Sequence, residues 1–391
     1  VSGQGPQRYV FDVLRSDEEL RGIEAEWLEL FGRSLTRNPF AHPAWVTSWL
    51  RHFVGDERRR LVLTARSGGE LMGVAPFYKR TYRLGPIRAR CLQVAGGSPR
   101  PEDPLTEMSE ILVARERWRT TMRALVQHVI VGNLGSYDWI GLTMTPEQGW
   151  FDDEWVPEAW QRRGVFAAHK GIRPFVLLPL PASWEELALK RNLKEAIRRS
   201  KNRLAALDGS SEVVFAEGEA VPEAVRRVQA LHRRRAAMRD HLPHSDYFDE
   251  EAYARFARDA SAGLAATGHA SVALCHVDAN PVAGRVVLRA HGDVFLSFSG
   301  VDPAYWHLGA ATALIVASIR EAISRRERTL NLSLNPDPAK LRWSNQLEFH
   351  NEFLVVAPSR RARAALQLFW QVRAGKSLAG RRQVIKQRGR S

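Results

Sequence analysis

The chain has 391 residues, more than the roughly 250 over which a single hydrophobic core usually extends, so two domains are expected. Hydrophobic residues make up 45% and charged residues 26%, with 12 Trp, which excludes a disordered polyelectrolyte. The net charge is +14, yet ten Lys or Arg and no acid lie from Ser359 onward, leaving about +4 for the rest, so the basic excess is a tail suited to an acidic partner and not specifically to nucleic acid.

No stretch approaches the roughly 18 consecutive apolar residues of a membrane span, and residues 1–8 lack a secretory apolar core, so a cytoplasmic protein is expected. Cys91 and Cys275 are too far apart in sequence to suggest a disulfide framework or a metal site.

In chain order, residues 17–31 place Leu20, Ile23, Trp27, Leu28 and Phe31 on one helical face behind Ser16 as N-cap. A second amphipathic run carrying Trp45, Trp49 and Phe53 follows Asn38-Pro39. Residues 61–65, a turn at Ser67-Gly68-Gly69 and residues 71–77 predict a β-hairpin. Gly96-Gly97 then leads into Ser-Pro-Arg-Pro, which would break a helix, so the first half shows a hairpin without a glycine-rich turn opening a helix.

Residues 174–181 read as a short strand, and Ser183 with Glu186 reads as a capping box for a helix running to about Leu207. In that helix Leu193, Ile197, Leu204 and Leu207 can face a core, while Lys190, Lys194, Arg198 and Lys201 form a stripe on another side. The stripe is either a solvated face or a dock for an anionic donor or carrier. The hairpin signal recurs about 210 residues after the first, at residues 271–276, a turn at Asp278-Ala279-Asn280, and residues 281–288. Gly73 and Gly284 occupy matching places, so two related units account for the length.

From Asp293 the chain reads as a strand, then Gly300-Val301-Asp302-Pro303, then Trp306-His307-Leu308-Gly309-Ala310-Ala311-Thr312, then an apolar helix through Ile319. At such a junction the unpaired amides and positive dipole end of the helix point into the turn, and small residues let a pyrophosphate approach the backbone. Leu308, Gly309, Ala310, Ala311 and Thr312 fit that task, and the same small residues would also suit a tight packing site. Residues 329–334 alternate as a strand, and Asn335-Pro336-Asp337-Pro338-Ala339-Lys340-Leu341-Arg342-Trp343 forms a polar loop. Strand, helix and strand in this order bring both strand ends beside the loop that starts the helix.

At this point the chain resembles the GNAT acyltransferases of the CelD-like (BioF2-like) group, which is similar to the FemABX aminoacyltransferases. The resemblance covers nearly the whole chain. It rests on Asn38-Pro39-Phe40 with Trp45, residues 178–203, Leu231-His232 with Arg235, Tyr247-Phe248 before a helix, and Lys340 with Arg342-Trp343. It implies an α/β fold of two tandem GNAT-like domains, mixed twisted sheets flanked by helices. The expected division is 1–172, then 173–358 carrying the donor-binding loop, then 359–391 as a basic helix or tail packing back on the first domain. The sequence departs from the group at Leu308-Gly309-Ala310, where relatives show a Pro-Gly pair, and at Asn335-Pro336-Asp337-Pro338, which replaces a more acidic stretch; donor identity stays open.

The implied reaction is N-acyl transfer, in which an amine attacks a thioester carbonyl and the site positions both reactants, accepts a proton and stabilises an oxyanion. The expected co-substrate is acyl-CoA or the phosphopantetheine of an acidic acyl carrier protein, the acceptor a small-molecule amine, and no cofactor is held permanently. Aminoacyl-tRNA is the alternative donor; a non-catalytic nucleic-acid-binding or scaffold protein is the alternative of another class, although no base-reading module supports nucleic-acid binding. His232 is the first candidate for general base, with a core histidine as its other reading. Ser299, Asn335 and Asp337 at strand ends are further catalytic candidates, and turn roles for Asn335 and Asp337 remain equally open. His307, Lys340 and Arg342 join residues 308–312 as donor-binding candidates, Arg235, Tyr247 and Trp343 as substrate-binding ones, and Lys190, Lys194, Arg198 and Lys201 as the partner dock.

Overall fold

The computed structural model describes residues 8–96, 105–151, 153–207, 210–238 and 245–388. The helix-breaking stretch expected from Gly97 on lies outside the described residues. The first half contributes β1 (Val10–Leu14), α1 (Asp17–Gly22), α2 (Glu24–Gly32), α3 (Pro43–Phe53), β2 (Arg60–Ser67), β3 (Glu70–Leu84), β4 (Ile87–Val94), β5 (Leu112–Val113), α4 (Trp118–Asn133), β6 (Trp139–Met144), α5 (Glu158–Gln161) and β7 (Phe166–Pro179). The second contributes α6 (Arg191–Ala205), β8 (Ser211–Ala216), α7 (Val221–Ala236), α8 (Glu251–Ala265), β9 (Ala270–Val277), β10 (Asn280–Ala290), β11 (Asp293–Val301), α9 (Ala310–Ser324), β12 (Thr329–Leu334), α10 (Pro338–Leu341), β13 (Gln346–Val356) and α11 (Arg360–Arg388).

The strands form one 13-stranded sheet in the order β1-β2-β3-β4-β6-β13-β7-β12-β11-β10-β9-β8, with β5 on β3. The internal repeat is visible in the ladders. Antiparallel β2-β3-β4 gives way to a parallel pairing of β4 with β6, as antiparallel β9-β10-β11 gives way to a parallel pairing of β11 with β12. The two units exchange their last strands: β13 closes on β6 of the first half, β7 closes on β12 of the second, and β7 and β13 pair along almost their full lengths. Residue 172 therefore sits inside β7, in the middle of the ladder that joins the halves.

Local signals placed the early elements well. Ser16 caps α1 in a full capping box with Glu19, and Ile23 interrupts the expected helix into α1 and α2. The expected strand at 174–181 begins eight residues earlier, at Phe166, because β13 lies alongside to pair with it. The capping box expected at Ser183 does not start a helix. Residues 183–189 are non-helical, and α6 begins at Arg191 with Lys190 as N-cap. Leu187 is buried there, while Trp184 and Leu189 pack on the core beneath α9, and Arg320 lies 4.7 Å over the Trp184 ring. Burying Leu187 and partly burying Trp184 and Leu189 outweighs a cap worth about 1 kcal/mol.

One hydrophobic core crosses between the halves, joining Trp45 and Trp49 of α3 to Phe256 of α8 and to Phe40 and Phe295. His42 lies in this seam. Its Nδ1 accepts from the Ala44 amide at 3.2 Å, capping α3, so its Nε2 carries the proton toward the Thr267 hydroxyl at 3.1 Å. Burial pushes the His42 pKa down to about 3. The folded state then binds this proton more weakly than the unfolded chain. The contribution is complete above the ordinary value of 6.5 and is lost as pH falls from there toward 3, by up to about 1.4 kcal/mol per pH unit. Urea midpoints measured across that window should fall less steeply for His42→Asn, which keeps a capping acceptor and cannot titrate; an unchanged slope would remove His42 from the account.

Candidate functional site

The parallel strands β11 and β12 pair at only three positions, Asp293 with Thr329, Val294 with Leu330 and Phe295 with Asn331, and then part. Both strands are bent at that point. On β11, Ser297 and Phe298 face the single residue Val286 of β10, a bulge between the pairs Arg285–Ser299 and Val287–Leu296. On β12, the ladder to β7 breaks between Asn331 and Leu334, with Ser333 and Asn335 at φ of 81° and 66°. Bulges turn a strand away from its partner, so the two bends open the sheet.

A left-handed serine costs about 1 kcal/mol or more, and here a carboxylate from the other half of the chain holds it. The Ser333 hydroxyl donates to Glu107 Oε1 at 2.6 Å and Oε2 at 2.8 Å, and the Leu334 amide donates to Oε2 at 2.5 Å. Asn331 Oδ1 takes the Ser333 amide at 2.8 Å, and Arg173 donates to the Glu107 carbonyl at 2.6 Å. Burial pushes the Glu107 pKa up, against these donors and the nearby Lys340 and Arg173 charges.

Arg285 enters the opening from β10. It donates to the Ser297 carbonyl and to Ser299 Oγ, both at 3.2 Å, and its Nε is buried with no partner. Among the described residues no carboxylate lies within ion-pairing distance of it. Burial lowers its pKa to about 10, with the Glu107 charge opposing, so it remains a cation at neutral pH. Lys340 closes the opposite side, donating to the carbonyls of Leu334 and Asn335.

Beyond β11 the chain makes a short 3-10 turn, Pro303–Leu308, capped by Asp302, and Gly309 then takes φ 76° to start α9. A Cβ on Gly309 would stand 3.1 Å from Ser200, so α6 lies tightly against the turn. Ser200 Oγ donates to the Gly309 carbonyl at 3.0 Å and Arg203 to the His307 carbonyl at 2.6 Å. The carbonyls of the turn are thus satisfied by α6, whereas the amides of Ala310 and Ala311, in the first turn of α9, have no acceptor among the described contacts. Leu308 and Ala310 are buried; Ala311 and Thr312 are half-buried. Thr312, Ser200, Ile197, Lys201 and Val316 line a groove of about 600 Å³ between α6 and α9.

The other expected residues separate in space. His232 is buried in α7, its Nδ1 facing the Ser299 carbonyl and its Nε2 the Ser245 carbonyl, each at 3.1 Å, with Tyr247 and Phe248 against the ring. Each nitrogen faces a main-chain carbonyl, of which a neutral ring donates to one, and the buried ring ties α7 to β11 instead of lying open to a substrate. Asp337 caps α10 through the amides of Ala339 and Lys340 at 2.8 and 3.0 Å, which is the turn role. Asn335 is exposed, its left-handed backbone donating its amide to the Pro174 carbonyl. Trp343 is 4% exposed in the core with Leu187 and Leu193, so it supports the fold and has little surface for a substrate. Arg342 lies near that ring at 5.9 Å, Arg235 lies 4.4 Å over Trp306 and joins α7 to the turn, and the His307 side chain is exposed. In the basic stripe Lys194, Arg198 and Lys201 are exposed, whereas Lys190 is tied to the Leu341 carbonyl and Asn345.

The sequence reading missed Glu107, Arg285 and Ser333. Arg285 had a usable signal, a lone charge inside the apolar strand at 281–288. Glu107 and Ser333 had none, because each is defined by a partner 226 residues away. Among the described residues no group of three His, Cys, Asp or Glu is placed to hold a metal, and no helix is long and apolar enough to cross a membrane.

Residues 191–341 match the family model of the acetyltransferase (GNAT) domain. No curated protein matches the sequence. Among solved structures, FemX aligns with a TM-score of 0.57 at 11% identity, over 86% of this chain and 96% of its own. L-PGS from Bacillus licheniformis aligns at 0.52 and 10%, over 91% and 96%. The C-terminal domain of an Agrobacterium fabrum protein assigned as a lysylphosphatidylglycerol synthetase aligns at 0.55 and 13%, over 90% and 95%. At such identities these likenesses speak for the shared fold.

Proposed function

We propose, from the premise that residues 191–341 are a GNAT acetyltransferase domain within a tandem GNAT-like fold, that this chain is an N-acyltransferase using a phosphopantetheine thioester, on CoA or a carrier protein. The acceptor is a small-molecule amine, and an amide is the product. The observation that carries this reading is the opening between β11 and β12, flanked by the free first-turn amides of α9. A thioester carbonyl placed in that opening lies beside β11 beyond Phe295, where β12 no longer pairs with it and the main chain of β11 can face a developing oxyanion. Donor phosphate suits the amides of Ala310 and Ala311, beside the small-residue turn at Gly309. The functional division follows the chain: 173–358 handles the donor, 1–172 completes the reaction centre through Glu107, and the helix beginning at Arg360 lies on the first half, where Phe369 meets Tyr82 and Trp139.

Positioning supplies most of the catalysis expected for an already activated thioester. Lys201 lines the groove beside that turn, and Lys194 and Arg198 are exposed on the same helix α6, which supports docking of an acidic carrier there. The test presents the purified protein with acyl-CoA, acyl carrier protein and aminoacyl-tRNA, and follows loss of the acyl group by intact mass. Discharge of a thioester is expected; discharge of aminoacyl-tRNA alone would install the alternative donor, and discharge of none would end the proposal. With a carrier-borne donor the double variant Lys194→Glu, Arg198→Glu should raise KM about tenfold, leaving KM for free acyl-CoA nearly unchanged. Equal effects on both donors would take carrier docking away from α6.

A further inference from the structure

The reaction centre holds two charges that the protein itself leaves apart. Arg285 is a cation with a buried, unpartnered Nε and no carboxylate within reach, and Glu107 is a buried carboxylate with no arginine or lysine in ion-pair contact among the described residues. Arg285 holds Ser297 and Ser299 on the β11 side of the opening, and Glu107 holds Ser333 and Leu334 on the β12 side, where Lys340 also donates to the Leu334 carbonyl, so the three flank the gap where the two strands part. Leaving opposite charges buried but unjoined is costly unless something joins them. The phosphates of a thioester donor have the α9 amides as their partners, and the thioester group carries no charge of its own. The pair is therefore matched by a ligand with both signs on it.

We propose that Arg285 receives a carboxylate and Glu107 the reacting amine, which makes the acceptor of this enzyme an amino carboxylate. This rests on the acyl-transfer reading above. The guanidinium suits a carboxylate because its planar fork can give two parallel hydrogen bonds. Glu107 Oε1 accepts only the Ser333 hydroxyl, so it retains a lone pair for the ammonium. In the reaction Glu107 takes one proton from the ammonium and frees the nitrogen lone pair. The C–N bond then forms, the C–S bond breaks, and the second amine proton leaves with the thiolate as thiol. The proton on Glu107 passes to water, so one acid equivalent is released per amide formed.

Calorimetric titration of the full chain with L-leucine and 4-aminobutyrate, each against its carboxamide, tests the pairing without altering the protein. The carboxylates should bind at least about 100-fold more tightly. Arg285→Gln should abolish that difference, and Arg285→Lys, which keeps charge but not the fork, should retain part of it, about tenfold, with an unchanged melting midpoint showing that it folds. Carboxamides binding as well as carboxylates, or no binding by any of the four, would overturn the inference. A parallel arm compares succinyl-CoA with butyryl-CoA: an Arg285-dependent preference for succinyl would move the carboxylate to the acyl group and overturn the acceptor assignment. Carboxylate-selective binding with no discharge of any thioester would sink acyl transfer and leave the site standing. Acylation of carboxamides and carboxylates alike would do the reverse.

Discussion

Glu107→Gln is expected to lower kcat about 1000-fold and leave KM for the thioester donor within about threefold, because it removes proton acceptance without touching the donor side. Glutamine keeps the volume and an acceptor oxygen for the Ser333 hydroxyl, so the left-handed turn at Ser333 retains its partner. The pH profile separates chemistry from structure. The base must be unprotonated to act, so the wild-type rate should fall as pH drops through a Glu107 pKa that burial holds above the ordinary carboxylate value. In Glu107→Gln that acidic limb should disappear. Ser333→Ala, which loses the hydroxyl and keeps the carboxylate, should cost only about tenfold and preserve the limb. A Glu107→Gln enzyme within tenfold of wild type, or one with the same acidic limb, would show that the carboxylate merely shapes β12.

The largest loss of stability is expected at Gly300, one residue beyond Ser299. A Cβ there would lie 2.4 Å from the His232 amide nitrogen, 2.5 Å from the Val228 carbonyl oxygen and 2.7 Å from Leu231 Cβ. Two of these are main-chain atoms of α7, so no side-chain rotation relieves the contact; the helix must lift from β11. Overpacking against backbone of this kind should cost about 4 kcal/mol in Gly300→Ala. Gly284→Ala, whose Cβ meets only the ends of Val228 and Leu274 at 2.7 and 2.8 Å, should cost about half as much. Gly132→Ala in α4, with nothing within 4 Å, should be neutral or slightly stabilising. Urea denaturation of the three variants gives the ranking. A Gly300→Ala protein as stable as wild type would mean that α7 does not press on β11 as described. Because His232 crosses the same contact to the Ser299 carbonyl, the variant should also loosen the β11 bulge, and activity should fall with stability.

Features that depend on a few neighbouring residues were legible in the sequence. The Ser16 cap, the hairpin turning at Gly68-Gly69, its repeat at Asp278-Ala279, and the glycine-initiated α9 after β11 all follow from dihedral preference, side-chain periodicity and short-range hydrogen bonds. The tandem architecture followed from the repetition of those same local patterns. Where local and distant demands conflicted, distance prevailed. The Ser183–Glu186 box lost to burial of Trp184 and Leu187, and His232 became a strut because carbonyls of β11 and of the segment before α8 close on both its nitrogens.

The amino acid order alone therefore determined the first helices, both hairpins, the existence of two related units and the turn that opens α9. Tertiary structure decided that β7 and β13 trade places between the units, and that Glu107 of the first reaches Ser333 of the second across the opening from Arg285, which pairs with no carboxylate among the described residues. Charge and hydrogen bonding act through space, over a few ångströms. Residues more than 200 positions apart acquire a shared chemistry only when the sheet has brought them together.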